Sequence, residues 1–104
     1  MARFDVFSHP DAGLRRVTPY LLDVQNSHIS GLATRVVIPL RAASAFPIRL
    51  RDLNPVFTVG GKEVVADTAA LAAFPAADLR TPVASLKDRA TDVIAALDTL
   101  FGSY

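Results

Sequence analysis

The chain predicts an α+β fold in which an antiparallel sheet packs against a C-terminal helix. Two patterns in the sequence carry this prediction. Short apolar runs with alternating or β-branched residues fill the first part of the chain, and apolar residues spaced by three and four fill its end. With 104 residues, of which 51% are hydrophobic, the chain can bury one core, so we predict a single domain over residues 1–104.

Three early segments are typical of strands: RFDVFS at 3–8, PYLLDVQNS at 19–27 and TRVVIPL at 34–40. Turn-forming residues close the first two. In the first, Phe4 and Val6 share one face while Phe7 lies on the other. In the third, Pro39 should lie at a strand edge or end, because it cannot donate a ladder hydrogen bond. These segments predict the first three strands of the sheet.

The clearest local signal is the segment PVFTVGGKEVVAD at 55–67. Two β-branched runs flank Gly60-Gly61, the two-residue pattern of a tight hairpin, so we predict two antiparallel strands here. The preceding residues 41–54 are basic and contain Pro47, which breaks a helix. We therefore predict a long surface loop or a distorted strand over that stretch.

The end of the chain changes to a helical period. Residues 68–79, TAALAAFPAADL, favour a helix by propensity, but Pro75 interrupts them and they lack a charged face, so their element stays open. Beyond Pro82 the spacing predicts a helix of about 16 residues. Ser85 followed by Asp88 is a variant of the capping box and predicts its start, and Gly102 predicts its end.

Composition excludes several classes of protein. Eleven basic and ten acidic side chains give a net charge of +1, so nonspecific binding to nucleic acid or anionic lipid is not expected. The absence of cysteine excludes disulfides and thiolate chemistry and suits a reducing compartment. No segment approaches the roughly 20 apolar residues of a membrane span, and the N-terminus lacks a signal-peptide core. We expect a soluble cytoplasmic protein that makes no membrane contact.

The residues for catalysis are sparse. His9 and His28 stand alone at predicted turns, without metal-ligand spacing, and are expected at the surface. Gly60-Gly61 belongs to a hairpin rather than to a phosphate-binding loop. We therefore predict no catalytic residue, no metal site and no cofactor. A ribonuclease could still work with cations and one base. The available cations, which are explained at least as well as solvated surface residues, are Arg15, Arg16, Arg35, Arg41, Arg49 and Arg51.

The segment LLDVQNSHISGLATRVVIPL, at 21–40, resembles the CcdB family, the toxins of type II toxin–antitoxin modules that poison DNA gyrase. The triplet DVQ at 23–25 and the run RVVIPL at 35–40 are its most specific matches. The likeness continues over nearly the whole chain, through LNPVFTVGG at 53–61, Leu71, Ala72 and Pro75, and VASLKDRATDVIAALDTLF at 83–101.

The resemblance implies a homodimer with a five-stranded antiparallel sheet, a smaller three-stranded sheet and a C-terminal helix. It implies a non-enzymatic inhibitor that binds the gyrase A subunit, traps the cleaved DNA complex and is neutralised by a CcdA-like antitoxin. No sequence-specific DNA binding by the toxin alone is implied. Two alternatives stay open, because a fold does not determine a function. One is a CcdB-fold interaction protein that binds antitoxin but has lost gyrase poisoning, and the other is a ribonuclease toxin.

By position, the resemblance implies gyrase contacts at His28, Ile29, Asp98, Phe101, Gly102, Ser103 and Tyr104. The family ends in Trp-Gly-Ile, and its two tryptophans clasp a gyrase arginine. This chain contains no tryptophan and carries Gly102 in the place of the indole. Asp98 could bind an arginine, or could be a solvated helix residue. Tyr104 could supply a shifted aromatic face, fray with the terminus or cover the dimer core.

The resemblance also implies antitoxin contacts in the loop after the first strand and in the segment after the third, at 10–16 and 41–50. The residues carried over are Pro10, Asp11, Leu14, Arg15, Arg16, Arg41, Phe46 and Arg49. Basic, irregular segments suit an acidic disordered tail that folds on binding, although surface loops also carry arginine for solubility.

Overall fold

The computed structural model describes residues 2–29 and 31–102 of the chain. Within these ranges lie seven strands and one α-helix, joined by short 3-10 turns. The strands are β1 (Asp5–Ser8), β2 (Tyr20–Asp23), β3 (Thr34–Ala42), β4 (Val56–Val59), β5 (Lys62–Ala66), β6 (Ala72–Pro75) and β7 (Ala84–Ser85), and the helix α1 covers Ala90–Phe101. No helix in the described part of the chain is long and apolar enough to cross a membrane.

The strands pair antiparallel in the order β4-β5-β3-β2-β1-β7, with β6 on β3. β3 pairs with two strands along one edge: its residues 34–37 pair with β6 and its residues 40–42 pair with β5. The mostly antiparallel sheet with a C-terminal helix confirms the predicted α+β class. The division into sheets of five and three strands stays a prediction, because hydrogen bonds join all the described strands through β3.

The sheet buries side chains on both faces, as the alternation along its strands dictates. On one face, Val6, Leu22 and Ile38 pack in the larger core together with Val93 of α1. The opposite face carries a smaller core that is closed by the segment after β6, and this core contains Phe7, Leu21, Val37, Leu79 and the half-buried Phe74. The helix therefore covers one face and an irregular segment covers the other.

The predicted hairpin is confirmed. Gly60 and Gly61 both have positive φ, 58° and 76°, as a type I′ turn between β4 and β5 requires. A Cβ on Gly60 would also lie 3.0 Å from the Tyr20 hydroxyl, so both space and backbone conformation favour glycine at that position.

The structure settles one element that the sequence left open and corrects another. Residues 72–75, which lie in a segment with helical propensity, form β6, because Thr34–Val37 of β3 supply the ladder partners. The helix has 12 residues rather than about 16: Lys87–Arg89 form a 3-10 turn, and no side chain caps α1. Ser85 Oγ instead accepts from the Lys87 N–H at 3.2 Å, so the capping-box prediction is wrong.

The C-terminal end of α1 is confirmed. Gly102 has φ of 66°, in the left-handed region, and its N–H donates to the Asp98 carbonyl at 2.8 Å. A residue in this conformation satisfies one of the last helix carbonyls, and glycine adopts it without the steric cost of a Cβ.

A buried ion pair joins β2 to β3. Asp23 and Arg35 have fully buried side chains, and Arg35 donates from Nε to Asp23 Oδ2 at 2.8 Å and from Nη2 to Oδ1 at 2.9 Å. Both residues lie on the face of the smaller core. Burial raises the pKa of Asp23, whereas the Gln25 N–H and the guanidinium favour its charged form. The prediction of Arg35 as a cation available to RNA is therefore wrong.

His9 also belongs to the smaller core face, and its predicted surface position is wrong. It is only 7% exposed, and its ring meets Phe74 edge to face at a centroid distance of 5.8 Å. Its Nδ1 accepts from the Asp11 N–H at 3.0 Å, which requires the neutral ring with its proton on Nε2. Burial lowers the pKa of His9, the charges of Arg15 and Arg41 lower it further, and Asp11 opposes them. His28 is exposed, as predicted.

We predict that Arg35→Met lowers the free energy of unfolding by about 3–5 kcal/mol, because it leaves the Asp23 carboxylate buried without its cation. Urea denaturation measures the change. Arg16→Met is the matched control: Arg16 is exposed, and the same substitution there should change the free energy by less than about 0.5 kcal/mol. A small effect at both positions would show that the ion pair does not stabilise the fold.

We predict that acidification from about pH 8 to about pH 5 destabilises the protein through His9. A lowered folded-state pKa means that the unfolded chain binds the proton more tightly. The stability contribution is therefore present above the ordinary pKa of 6.5 and is lost as the pH falls through the folded pKa. His9→Gln should show a smaller pH dependence of the urea midpoint, and the control His28→Gln should keep the wild-type dependence. An unchanged dependence in His9→Gln would contradict the assignment.

Candidate functional site

The first group of predicted contact residues lies at the end of α1, and we call Asp98, Phe101 and Gly102 the helix-end site. Phe101 is 70% exposed, although α1 buries Val93 and Ala96 on its inner face. Asp98 is exposed one turn earlier, on the same side of the helix as Phe101. The predicted contacts Ser103 and Tyr104 lie outside the described residues.

A cavity of about 350 Å³ lies beside Asp98, between α1 and the segment before β4. Its charged lining residues are Arg51, Asp52, Asp92 and Asp98. Of the carboxylates, Asp92 accepts from Arg89 Nε at 2.6 Å, whereas among the described residues Asp52 and Asp98 form no ion pair. A neighbouring cavity of about 460 Å³ is lined by Leu50, Leu53 and Leu100, together with three polar side chains. The helix-end site therefore contributes the Asp98 carboxylate, which is unpaired among the described residues, next to apolar surface, and this combination suits a cationic partner.

The second group, His28 and Ile29, lies in the 3-10 turn Ser27–Ile29 between β2 and β3. Both are exposed, and Ile29 keeps 51% of its accessible surface. The turn is fixed from within: the His28 N–H donates to Asn26 Oδ1 at 2.9 Å, and Gln25 Nε2 donates to the Ile29 carbonyl at 3.2 Å.

Gln25 connects this turn to the buried ion pair. Its Oε1 accepts from the Val36 N–H of β3 at 3.0 Å, and its own N–H donates to Asp23 Oδ1 at 3.0 Å. The Gln25 carbonyl lies 3.4 Å from Arg35 Nη2. The DVQ triplet thus forms one hydrogen-bonded unit with Arg35, and this unit positions the exposed turn.

The helix-end site and the 27–29 turn are the two groups of predicted gyrase contacts. Across the described residues, no hydrogen bond or ion pair joins Asp98 or Phe101 to His28 or Ile29. Their convergence on one partner therefore remains a prediction, which a second copy of the chain could satisfy.

The loop of predicted antitoxin contacts after β1 contains a capped 3-10 turn. Asp11 Oδ1 accepts from the Gly13 N–H at 2.9 Å and starts the 3-10 turn Ala12–Leu14. Pro10 and Arg16 are exposed, and Leu14 keeps 51% of its accessible surface. The loop therefore presents apolar and basic side chains together.

The predicted segment after β3 meets this loop. The Ala42 N–H donates to the Val17 carbonyl at 2.8 Å, and Arg41 Nη1 donates to Thr18 Oγ1 at 2.6 Å. Arg41 also pairs with Asp67, so much of its donor capacity is used inside the chain. The structure thus brings the two predicted antitoxin segments together.

Farther along the same segment, the Arg49 side chain donates hydrogen bonds to nearby backbone carbonyls. It donates from Nε to the carbonyl of the half-buried Phe46 at 3.0 Å, and from Nη2 to the Ala43 carbonyl at 3.1 Å. These bonds hold the chain in a compact turn after β3. Ile48, which keeps 86% of its accessible surface, is left pointing to solvent.

Sequence reasoning missed a third feature, a cavity of about 440 Å³ lined by Ser8, Pro10, Arg15, Asp78, Arg80 and Thr81, with Phe7 beneath them. We call it the Arg15–Arg80 pocket. The polar run DLRT at 78–81 was the available signal, but it follows a segment whose element the sequence left open. Within the described ranges no cluster of His, Cys, Asp and Glu suits a metal ion.

Comparison with known proteins identifies the relationship. No curated protein matches the chain. A family profile described as "CcdB protein" matches residues 3–102, which span the strands, α1 and every predicted contact except Ser103 and Tyr104. The chain therefore belongs to the CcdB family.

Proposed function

We propose that this protein is the toxin of a type II toxin–antitoxin module and inhibits DNA gyrase by binding its A subunit. Membership of the CcdB family, a family of gyrase-inhibiting toxins, supports the proposal. In this proposal the protein acts in the cytoplasm as a homodimer and traps the cleaved DNA complex. It works by binding rather than by catalysis, and it is neutralised by an acidic antitoxin.

The observation that carries the proposal is the exposed aromatic ring at the end of α1. A large apolar side chain that is 70% exposed gains free energy when a partner covers it, and the face of its ring attracts a guanidinium by about 0.5–2 kcal/mol. Asp98, three residues earlier, supplies a carboxylate to the same cation. Phe101 and Asp98 together thus take over the role that the two tryptophans have in the family.

The loop after β1 and the segment after β3 support the antitoxin part of the proposal. The Ala42–Val17 hydrogen bond joins them into one surface. That surface carries the exposed Arg15 and Arg16 together with apolar groups, of which Ile48 keeps 86% of its accessible surface. An acidic, partly apolar tail that folds on binding is complementary to such a surface.

A second candidate function is a CcdB-fold interaction protein that binds antitoxin without poisoning gyrase. Gly102 favours this alternative. It replaces the family's tryptophan, and its left-handed conformation would strain any residue with a Cβ by about 1–2 kcal/mol.

We predict that the purified protein causes gyrase-dependent DNA cleavage, and that Phe101→Ala weakens binding to the gyrase A subunit about five- to thirtyfold, because it removes the exposed ring. Calorimetric titration measures the affinity. Thr91→Ala, on the exposed first turn of α1, is the control and should bind as the wild type does. Growth arrest without gyrase cleavage would reject the proposal. Absence of arrest with intact antitoxin binding would select the second candidate, and RNA fragmentation would select a ribonuclease.

We predict that Gly102→Trp binds the gyrase A subunit about fivefold more tightly than Gly102→Ala, because it restores the indole face. Both variants introduce a Cβ at φ of 66° and should lose about 1 kcal/mol of stability. The difference in affinity between them therefore measures the contribution of the indole ring. Open space around the position leaves room for the side chain. Equal affinity of the two variants would remove Gly102 from the contact surface.

A further inference from the structure

The Arg15–Arg80 pocket lies at the end of β1, where one backbone and one side-chain hydrogen bond hold the neighbouring segments. The Val83 N–H donates to the Val6 carbonyl at 2.8 Å, so the residues before Val83 run back alongside the end of β1. This path brings Arg80 to the turn after β1. From the other side, Arg15 donates from Nε to the His9 carbonyl at 2.6 Å. Both arginines thus flank the same turn.

Within the described part of the chain, the two arginines of this pocket form no ion pair. Among the described residues neither Arg15 nor Arg80 has a carboxylate within ion-pair distance, although Asp78 lines the same cavity. The bond to His9 uses only Nε of Arg15, so its terminal nitrogens are available as donors. Ser8 and Thr81 add hydroxyl groups. The pocket therefore offers two forked cations, two hydroxyls and one acceptor.

We propose that the Arg15–Arg80 pocket binds a carboxylate side chain of an acidic, partly apolar peptide. The two guanidinium groups bind the carboxylate through charge-assisted hydrogen bonds, and Asp78 accepts a backbone N–H of the same peptide. This inference rests on the antitoxin part of the proposed function, and it adds Arg80, Asp78 and Thr81 to the predicted contacts.

The surroundings favour a peptide over a nucleic acid. A phosphodiester chain carries a negative charge on every nucleotide, and Asp78 would repel these charges. A peptide instead offers backbone N–H groups, which can donate a hydrogen bond to the Asp78 carboxylate. Exposed apolar side chains lie close by along the chain: Leu14 precedes Arg15 and keeps 51% of its surface, and Val83 keeps 54%. The net charge of +1 provides no general attraction for a polyanion.

The test is an NMR titration of the full-length, isotope-labelled protein with a short synthetic peptide of Glu, Leu and Ser. A second peptide carries Gln in place of each Glu, and oligouridylate tests for nucleic acid. We expect the Glu peptide to shift the Nε–H signals of Arg15 and Arg80, and the Gln peptide to bind at least about tenfold more weakly. Arg80→Gln should weaken binding of the Glu peptide at least about fivefold.

Lys62→Gln is the control, because it removes one positive charge at an exposed position of β5, outside the pocket and outside the predicted antitoxin contacts. An equal loss in Lys62→Gln and Arg80→Gln, or equal affinity for both peptides, would overturn the proposal. Tighter, Arg80-dependent binding of oligouridylate would overturn it in favour of a nucleic-acid site. The titration contains no gyrase, so its result is independent of the gyrase assay. A negative gyrase assay together with a positive titration would reject the proposed gyrase inhibition and would still support peptide binding in the pocket.

Discussion

The ion pair between Asp23 and Arg35 is the interaction on which the rest of the structure depends. Two fully buried charges are tolerated only when they meet each other, so β2 and β3 can pair in only one register. A slip of one residue between the two strands would turn one of the charges to the face of the larger core and separate it from its partner. Since β3 also pairs with β5 and β6, the same ion pair sets the position of most strands in the sheet.

The buried pair also explains why the two proposed gyrase contacts have different structural support. The 27–29 turn is tied to Asp23 and Arg35 through Gln25, so its exposed side chains are held by the core. The helix-end site has no such support, because Phe101 is largely exposed and contributes little to any core. Residues at the end of α1 can therefore change without loss of the fold, which accounts for a chain that keeps the DVQ triplet and lacks the family's terminal tryptophan.

The sequence predicted those elements whose signals are local. Gly60-Gly61 identified the hairpin, and Gly102 identified the end of α1, because both rest on backbone conformations that few residues other than glycine adopt. β6 was not predictable, since its strand conformation depends on hydrogen bonds to β3, more than thirty residues earlier. The burial of Arg35 and His9 was missed for a similar reason: charged and polar side chains lie inside only when distant partners satisfy them, and a single sequence does not display those partners.

The two proposed surfaces have opposite charge, and their arrangement gives a physical account of neutralisation. The Arg15–Arg80 pocket and the cavity beside Asp98 share no lining residue, so an acidic peptide and a cationic partner have separate anchoring points. The segment after β3 connects them: it meets the loop after β1 through Val17, and its predicted contact range ends at Leu50. Leu50 lines a cavity with Thr99 and Leu100, next to Phe101. In the proposed mode of neutralisation, a peptide that is anchored by its carboxylate at Arg80 and follows this segment would reach Leu50 and would exclude gyrase by covering the apolar surface beside the helix-end site.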